Sequence, residues 1–397
     1  MTKPPSYRIV LVSAFPPGRL SLSEYGFHFA KGLAACDDVS LVIVLADQLP
    51  EPLVELDLGP KIEVRRVWRF NGIATLPRLL REVCGARADT VVFNLQTATF
   101  GDREVPAALG LLTPAMTRLL GVRSGVIAHN IIAGVDLEQT LLKGQKLRQA
   151  MVRAGGALVT AAMMRASYVT TTLQAYVDIL LKAHPKANLH LVPHGTFDTT
   201  ERPWRTHASR KRQIATMGKF GTYKRLETLL AAFDLLRQAP EFADITLMIG
   251  GSDHPNASGY MSGLAAARKD DAGVVFQGYV AEDAIPEFFE AALISVFDYE
   301  STTGSSGVLH QTVTYGAVPV FPHIGDFVEI SLDEGLKGYN YAPGIPSSMA
   351  SAIKAVLRDP DAAEAVAKSN RKAAVGIPFS QVIDFHVAMI AEREGGG

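Results

Sequence analysis

Short β-branched runs alternate with longer helical patterns along almost the whole chain, and that rhythm limits the fold more than any other feature. Arg8–Ser13, Ser40–Leu45, Glu63–Val67, Thr90–Asn94, Gly125–His129, Tyr168–Thr172 and His190–Pro193 read as strands, with helical patterns such as Tyr25–Ala35 and Leu76–Cys84 between some of them. Such alternation builds a parallel sheet buried under helices. A polar stretch containing Pro and Trp, His194–Arg212, then breaks the rhythm and reads as an interdomain linker. Strands resume at Ile214–Met217, Ile245–Ile249, Val274–Phe276, Leu293–Phe297 and Val318–Phe321, separated by helices such as Lys224–Leu236, Glu282–Glu290 and Ser348–Leu357. A chain of 397 residues exceeds a single core. The expectation is an α/β protein of two similar domains, residues 1–197 and 198–378. Any ligand would lie at strand C-terminal ends, in the cleft between the halves.

Composition narrows the function. A formal net charge of −1 argues against a nucleic-acid partner, and 48% hydrophobic with 20% charged residues describes a globular chain. Cys36 and Cys84 have no metal-ligand spacing, which fits a reducing cytoplasm and argues against a disulfide scaffold or structural zinc. The first apolar run is too short and too β-branched for a signal peptide. No window reaches the roughly 18 apolar residues of a membrane span. The expected location is cytoplasmic.

Chemistry concentrates in the second half. Ser301–Phe321, STTGSSGVLHQTVTYGAVPVF, reads as a small-residue loop, a helix opened by Ser305, Ser306 and Gly307, and a strand from Val318. Small residues at a helix start let backbone N–H groups approach a ligand closely, and the helix dipole favours an anion there. A turn that uses glycine only for geometry would look the same. Lys219 follows Gly218 at a strand end, and Lys224 opens an amphipathic helix. Two cations so placed would clamp a diphosphate, and two solvated helix-end charges would give the same pattern. Gly250 and Gly251 mark a further strand end, and VVFQGYVAEDAIPEFFEAALISVF sets out strand, turn, helix and strand with no spare residues.

Taken together these four stretches resemble the nucleotide-sugar-binding half of retaining GT-B-fold glycosyltransferases, the large family that includes many bacterial mannosyl- and glucosyltransferases. The resemblance extends over essentially the whole chain, strongly in the second half and loosely in the first. It implies two Rossmann-like domains facing across a cleft, with a C-terminal helix, Ser380–Glu392 within residues 379–397, returning toward the first domain. It implies that Lys219 and Lys224 bind the donor diphosphate and stabilise the leaving group. Gly218, Gly250, Gly304, Ser305, Ser306, Gly307 and Val308 would line the donor site, the last four through loop N–H groups. The family carries a pair of glutamates here, and this chain has Thr303 and Gln311 in their places. Gln311 keeps an amide oxygen for a ribose hydroxyl but no charge, and Glu300 or Asp298 would supply the missing carboxylate to the sugar.

In the first half, the resembled loop after the first strand has paired glycines, where this chain has only Gly18 and Gly26. Gly26 is either a backbone contact to the donor phosphate or part of a plain helix start capped by Ser23. His129 ends a strand, with Asn130 after it, and in the resembled family a histidine there lies beside the transferred sugar; otherwise it is a satisfied core histidine. His194 reads as a linker residue. Between Leu137 and Met164, Lys143, Lys146, Arg148 and Arg153 precede Arg165, with Leu147, Met151, Ala154 and Leu158 forming one helical stripe. That pattern suits peripheral contact of residues 143–165 with an anionic membrane surface, and equally a helix packed on the sheet by its apolar stripe.

The implied reaction is hexose transfer from a nucleotide diphosphate sugar to an acceptor hydroxyl with retention, needing neither metal nor cofactor. A nucleotide-sugar epimerase of the same layout and a non-catalytic partner subunit are the rivals. The first would act without an acceptor, and the second would show neither donor hydrolysis nor transfer.

Overall fold

The computed structural model describes residues 6–49, 54–131, 145–301 and 304–392. In chain order the first elements are β1 (Tyr7–Val12), α1 (Ser23–Ala35), β2 (Val39–Asp47), β3 (Ile62–Trp68), α2 (Thr75–Ala86) and β4 (Thr90–Leu95). There follow α3 (Glu104–Leu111), α4 (Thr113–Leu119), β5 (Arg123–Ala128), α5 (Lys146–Met163), β6 (Tyr168–Thr171), α6 (Gln174–Ala183) and β7 (Leu189–Leu191). The next are β8 (Lys211–Phe220), α7 (Glu227–Arg237), β9 (Thr246–Asp253), α8 (Tyr260–Ala267), β10 (Val274–Gly278), α9 (Ile285–Ala291) and β11 (Ala292–Val296). The last are α10 (Gly307–Thr314), β12 (Val318–Pro322), α11 (Gly325–Glu334), β13 (Tyr339–Tyr341), α12 (Pro346–Arg358), α13 (Pro360–Val375) and α14 (Phe379–Ala391). The chain forms two compact units, Met1–His194 with Phe379–Gly397, and Gly195–Pro378.

The first unit is built on a seven-stranded sheet of order β3-β2-β1-β4-β5-β6-β7. Every neighbouring pair is parallel. Val10, Leu11, Val92, Phe93 and Val126 are excluded from solvent, as a sheet covered on both faces requires. The final helix α14 belongs to this unit. Ile383 occupies the space where a Cβ on Gly32 of α1 would sit, so α14 lies tight against that glycine. The Arg123 guanidinium donates to the carbonyls of Ile390 (2.8 Å) and Met389 (3.0 Å), meeting the negative end of α14.

The second unit has a six-stranded parallel sheet of order β10-β9-β8-β11-β12-β13. Leu229, Phe233, Leu247, Ile249, Ile294, Val318 and Ile353 form its main core. β13 went unread in the sequence because it is a three-residue edge strand carrying an asparagine.

Two expectations about local structure are corrected. The stretch His194–Arg212 is no free linker: from Gly195 it belongs to the second unit. Trp204 Nε1 donates to Glu364 (2.6 Å), Tyr315 Oη donates to Asp198 (3.0 Å), and buried Arg210 donates to the Tyr315 carbonyl (3.0 Å). Its charges mark anchors whose partners lie far away in sequence, which composition cannot show. The unit also closes on itself at its two ends, since Thr196 bridges Pro378 and its N–H donates to the Ile377 carbonyl at 2.9 Å. The helix expected from Lys224 begins instead at Glu227, so Lys224 sits in the preceding turn.

Candidate functional site

At the C-terminal ends of β8 and β11 in the second unit, two sequence-distant stretches are laced together. The Arg225 N–H donates to the Asp298 carbonyl (2.8 Å), and the Glu300 N–H donates to the Tyr223 carbonyl (2.8 Å). Between them Lys224 and Tyr299 form an antiparallel bridge. Lys224 is thereby fixed beside the entrance of the Ser301–Gly307 loop, with its ammonium 4.6 Å from the centre of the Tyr299 ring. Burial alone would lower the Lys224 pKa, but the hydroxyls of Tyr299 and Tyr223 outweigh it and hold the group above the ordinary lysine value. The site therefore carries a fixed positive charge.

The neighbouring carboxylates divide by environment. Asp298 is buried and accepts from the Leu229 N–H (3.0 Å), so it caps the start of α7. Burial pushes its pKa up to about 6 despite that bond. Glu300 is exposed and pairs with Arg225 at 3.4 Å. Burial raises the Glu227 pKa, but Arg225 and Tyr260 overcome this and bring it down to about 2. Glu227 is as exposed as Glu300, but it bonds both Arg225 and the Tyr260 hydroxyl, whereas Glu300 has the longer ion pair to Arg225. Asp298 is tied to helix α7 through Oδ2.

Lys219 and Gly218 lie on β8, in register with Ser252 and Gly251 of β9. Gly251 has φ +133°, and a Cβ there would strike the Gly218 carbonyl oxygen, so only glycine fits. A Cβ on Gly218 would make ordinary contact with the Phe220 ring (3.5 Å) and the Lys224 side chain (3.7 Å). Gly250 serves packing instead, since a Cβ there would meet Val280 at 2.6 Å and Phe288 at 3.0 Å.

The loop that enters α10 is held at both ends. Gly304 has φ +89°, and its N–H donates to the buried carboxylate of Asp326 at 2.5 Å. Ser306 is the N-cap of α10, its hydroxyl accepting from the Leu309 N–H (3.3 Å). Gly307 and Val308 are the first helical residues, and Gln311 lies one turn further on, half-buried. Ser305 is half-buried at the middle of the loop. Thr303 lies outside the described residues.

In the first unit His129 is buried at the end of β5. Its Nε2 lies 2.7 Å from Asn94 Oδ1, while the Asn94 amide donates to Ser13 Oγ (2.9 Å), so His129 carries its proton on Nε2. Its ring stands edge-on to Tyr25, with centroids 4.4 Å apart. Burial, with a smaller contribution from His386, takes its pKa down to about 3, and the imidazole is neutral at pH 7. Gly26 packs α1 against β1, since a Cβ there would strike the Ser13 hydroxyl. Ser23 does not cap α1: the cap position is Leu22, and the Ser23 hydroxyl donates back to the Gly18 carbonyl (2.8 Å).

The stripe on α5 also departs from the packed reading. Leu147, Met151 and Leu158 are 77%, 60% and 71% exposed, and Ala154 is exposed with them. Val159 and Met163 form the buried side instead. Lys143 lies outside the described residues.

Chemically, the second unit offers a fixed ammonium and an α-helix N-terminus with a serine cap. That set suits a phosphate-bearing ligand. The lacing of residues 223–225 to 298–300, which makes Lys224 and the loop one site, was invisible in sequence because strand order, not spacing, brings them together.

Residues 211–359 match the family model described as Glycosyl transferases group 1. No curated protein matches the chain. Among solved structures, the chain is similar to sucrose-phosphate synthase from Thermosynechococcus elongatus, at 17% identity and a TM-score of 0.72, covering 97% of this chain and 98% of that one. It is also similar to Anabaena HepE in complex with UDP-glucose, at 16% identity and a TM-score of 0.68, covering 96% and 98%. A third is an α,α-trehalose-phosphate synthase from Burkholderia xenovorans in complex with glucose-6-phosphate, at 11% identity and a TM-score of 0.68, covering 97% and 100%. These likenesses identify the fold as GT-B.

Proposed function

We propose that the chain, which has the GT-B fold and matches the glycosyl transferases group 1 model over residues 211–359, moves a hexosyl group, with retention, from a nucleotide diphosphate sugar to an acceptor hydroxyl. In the transfer the bond from the anomeric carbon to the diphosphate oxygen breaks with its electron pair going to that oxygen, a bond to the acceptor oxygen forms, and the acceptor hydroxyl proton passes to the departing diphosphate. The diphosphate leaves with added negative charge, and stabilising that charge is the main electrostatic task.

The observation that carries this reading is the lacing of Lys224 to the entrance of the α10 loop. It brings a cation to the strand end from which the chain continues to α10, an arrangement that suits a diphosphate. Lys224 and Lys219 neutralise the leaving group, and the N–H groups of Ser305, Ser306, Gly307 and Val308 hold its oxygens. Gln311 accepts from a ribose hydroxyl. Glu300 is the carboxylate offered to the sugar, and His129, being neutral, donates through Nε2–H only if Asn94 releases it. Similarity to a protein solved with UDP-glucose favours a uridine nucleotide as donor.

Purified protein incubated with UDP-, GDP- and ADP-hexoses, with and without hydroxyl acceptors, tests the reading. Transfer that requires both a donor and an acceptor supports it. An epimerised nucleotide sugar formed without acceptor would replace it with epimerisation, and no turnover with any donor would leave a non-catalytic subunit.

A second reading concerns the acceptor side. The exposed face of α5, with Leu147, Met151 and Leu158 outward and Lys146 and Arg153 beside them, suits an anionic membrane surface. An acceptor presented at such a surface is the consequence.

A further inference from the structure

His310, in the first turns of α10, forms a buried pair whose purpose is not explained by the core. Its Nδ1 lies 2.8 Å from the Ser306 carbonyl oxygen, and its Nε2 lies 2.7 Å from Oε2 of Glu334. The two side chains are only 4% and 2% exposed. A carbonyl can only accept, so Nδ1 carries a proton whatever the state of the rest of the ring. The second proton is shared between Nε2 and Glu334, on one partner or the other. Burial lowers the His310 pKa, and Glu334 more than reverses this.

Glu334 is the last residue of α11, and Asp326, in its first turn, accepts from the Gly304 N–H. One helix thus braces the loop at two points, through Asp326 before Ser305 and through His310 after it. Packing alone does not call for this arrangement, because an apolar residue of similar size would fill the same space without two buried polar groups to satisfy.

We propose that His310, backed by Glu334, is a positioning residue for the donor: it holds the Ser306 carbonyl so that the N–H groups opening α10 stay aimed at the donor phosphates. The inference rests on the donor-site reading above. The Ser306 carbonyl also accepts from the Leu309 N–H (3.0 Å) and the His310 N–H (3.2 Å), so the imidazole and Glu334 act by tying that first turn of α10 to α11, and without them the turn can shift away from the phosphates.

Calorimetric titration of the full chain with UDP, GDP and ADP, together with donor and acceptor kinetics, tests this. His310→Phe keeps the ring and removes both bonds. It is expected to weaken nucleotide binding and raise the donor KM about tenfold, with the acceptor KM unchanged. Glu334→Ala is expected to do the same. Glu334→Gln is expected to recover most of that loss, because the glutamine amide donates to Nε2 while Nδ1–H stays on Ser306. Wild-type nucleotide affinity in both His310→Phe and Glu334→Ala would overturn the inference. So would a fall in Tm with donor and acceptor KM shifting together and no recovery in Glu334→Gln. Should His310→Phe fail to fold, the two Glu334 variants decide alone. If the wild-type protein binds none of the three nucleotides, the donor-site reading falls and the inference with it; if it binds one and the variants bind equally well, only the inference falls.

Discussion

Lys224 is one residue in a turn of six, yet its position follows from contacts on either side of it. The flanking carbonyls and N–H groups of Tyr223 and Arg225 are bonded to Glu300 and Asp298, so the backbone stays in place when the side chain is shortened. Lys224→Ala should therefore leave Tm nearly unchanged while lowering turnover by about 2–4 kcal/mol of transition-state stabilisation, the cost of removing one charge-assisted phosphate contact. Steady-state kinetics beside a melting curve checks it, and unimpaired turnover would show that the phosphate clamp lies elsewhere. At this scale the sequence was informative where the chemistry is local. Where Lys219, Lys224 and the small residues before α10 stand relative to the strands could be read locally, apart from the later start of α7. Tyr299, His310 and Glu334 could not, because a tyrosine beside a cation and a buried His–Glu pair are made by residues with no spacing between them that signals contact.

Strands were legible at the scale of elements: twelve of the thirteen among the described residues were read, the central ones because burial on both faces forces apolar β-branched runs and edge strands such as β3 and β7 from shorter apolar signals. Helices were less legible. Glu282–Glu290 divides into a short turn at Glu282–Ala284 and α9, since Pro286 fits the first turn of a helix and disfavours being preceded by more of one. α5 shows the limit of periodicity: its stripe has the right spacing for a core but faces outward, and spacing cannot say which side of a helix is covered. If that face meets lipid, the protein should sediment with vesicles rich in anionic phospholipid and remain free of neutral ones. Fully burying one such side chain contributes about 1.5–3 kcal/mol. Leu147→Glu with Leu158→Glu should then abolish sedimentation without altering nucleotide affinity. Equal sedimentation of the variant would remove α5 from consideration.

Over the whole molecule, pH acts through histidines that the fold keeps neutral. His129 and His386 are both buried, and burial takes each pKa down to about 3. In the unfolded chain they titrate near 6.5. Their contribution is complete above about pH 6.5 and is lost as pH falls toward 3, because the unfolded state takes up protons that the folded state refuses. Between pH 6.5 and 5 the loss is on the order of 2 kcal/mol for each histidine. Tm should fall across that interval, and more shallowly in His386→Met, whose lower starting stability does not affect the slope. An unchanged slope would mean that other groups govern the acid response.

The return of α14 to the first unit has a consequence for how the chain is made. Gly32, Arg123 and Tyr168 all meet partners on α14, through Ile383, the Met389 and Ile390 carbonyls, and His386. On the ribosome these surfaces emerge early, but their cover is translated only after the whole of Gly195–Pro378. The second unit, whose two ends are bonded to each other through Thr196 and Ile377, can close as soon as it has left the exit tunnel. The unit begun first is therefore the one finished last, and during synthesis it is the unit that a chaperone would have reason to hold.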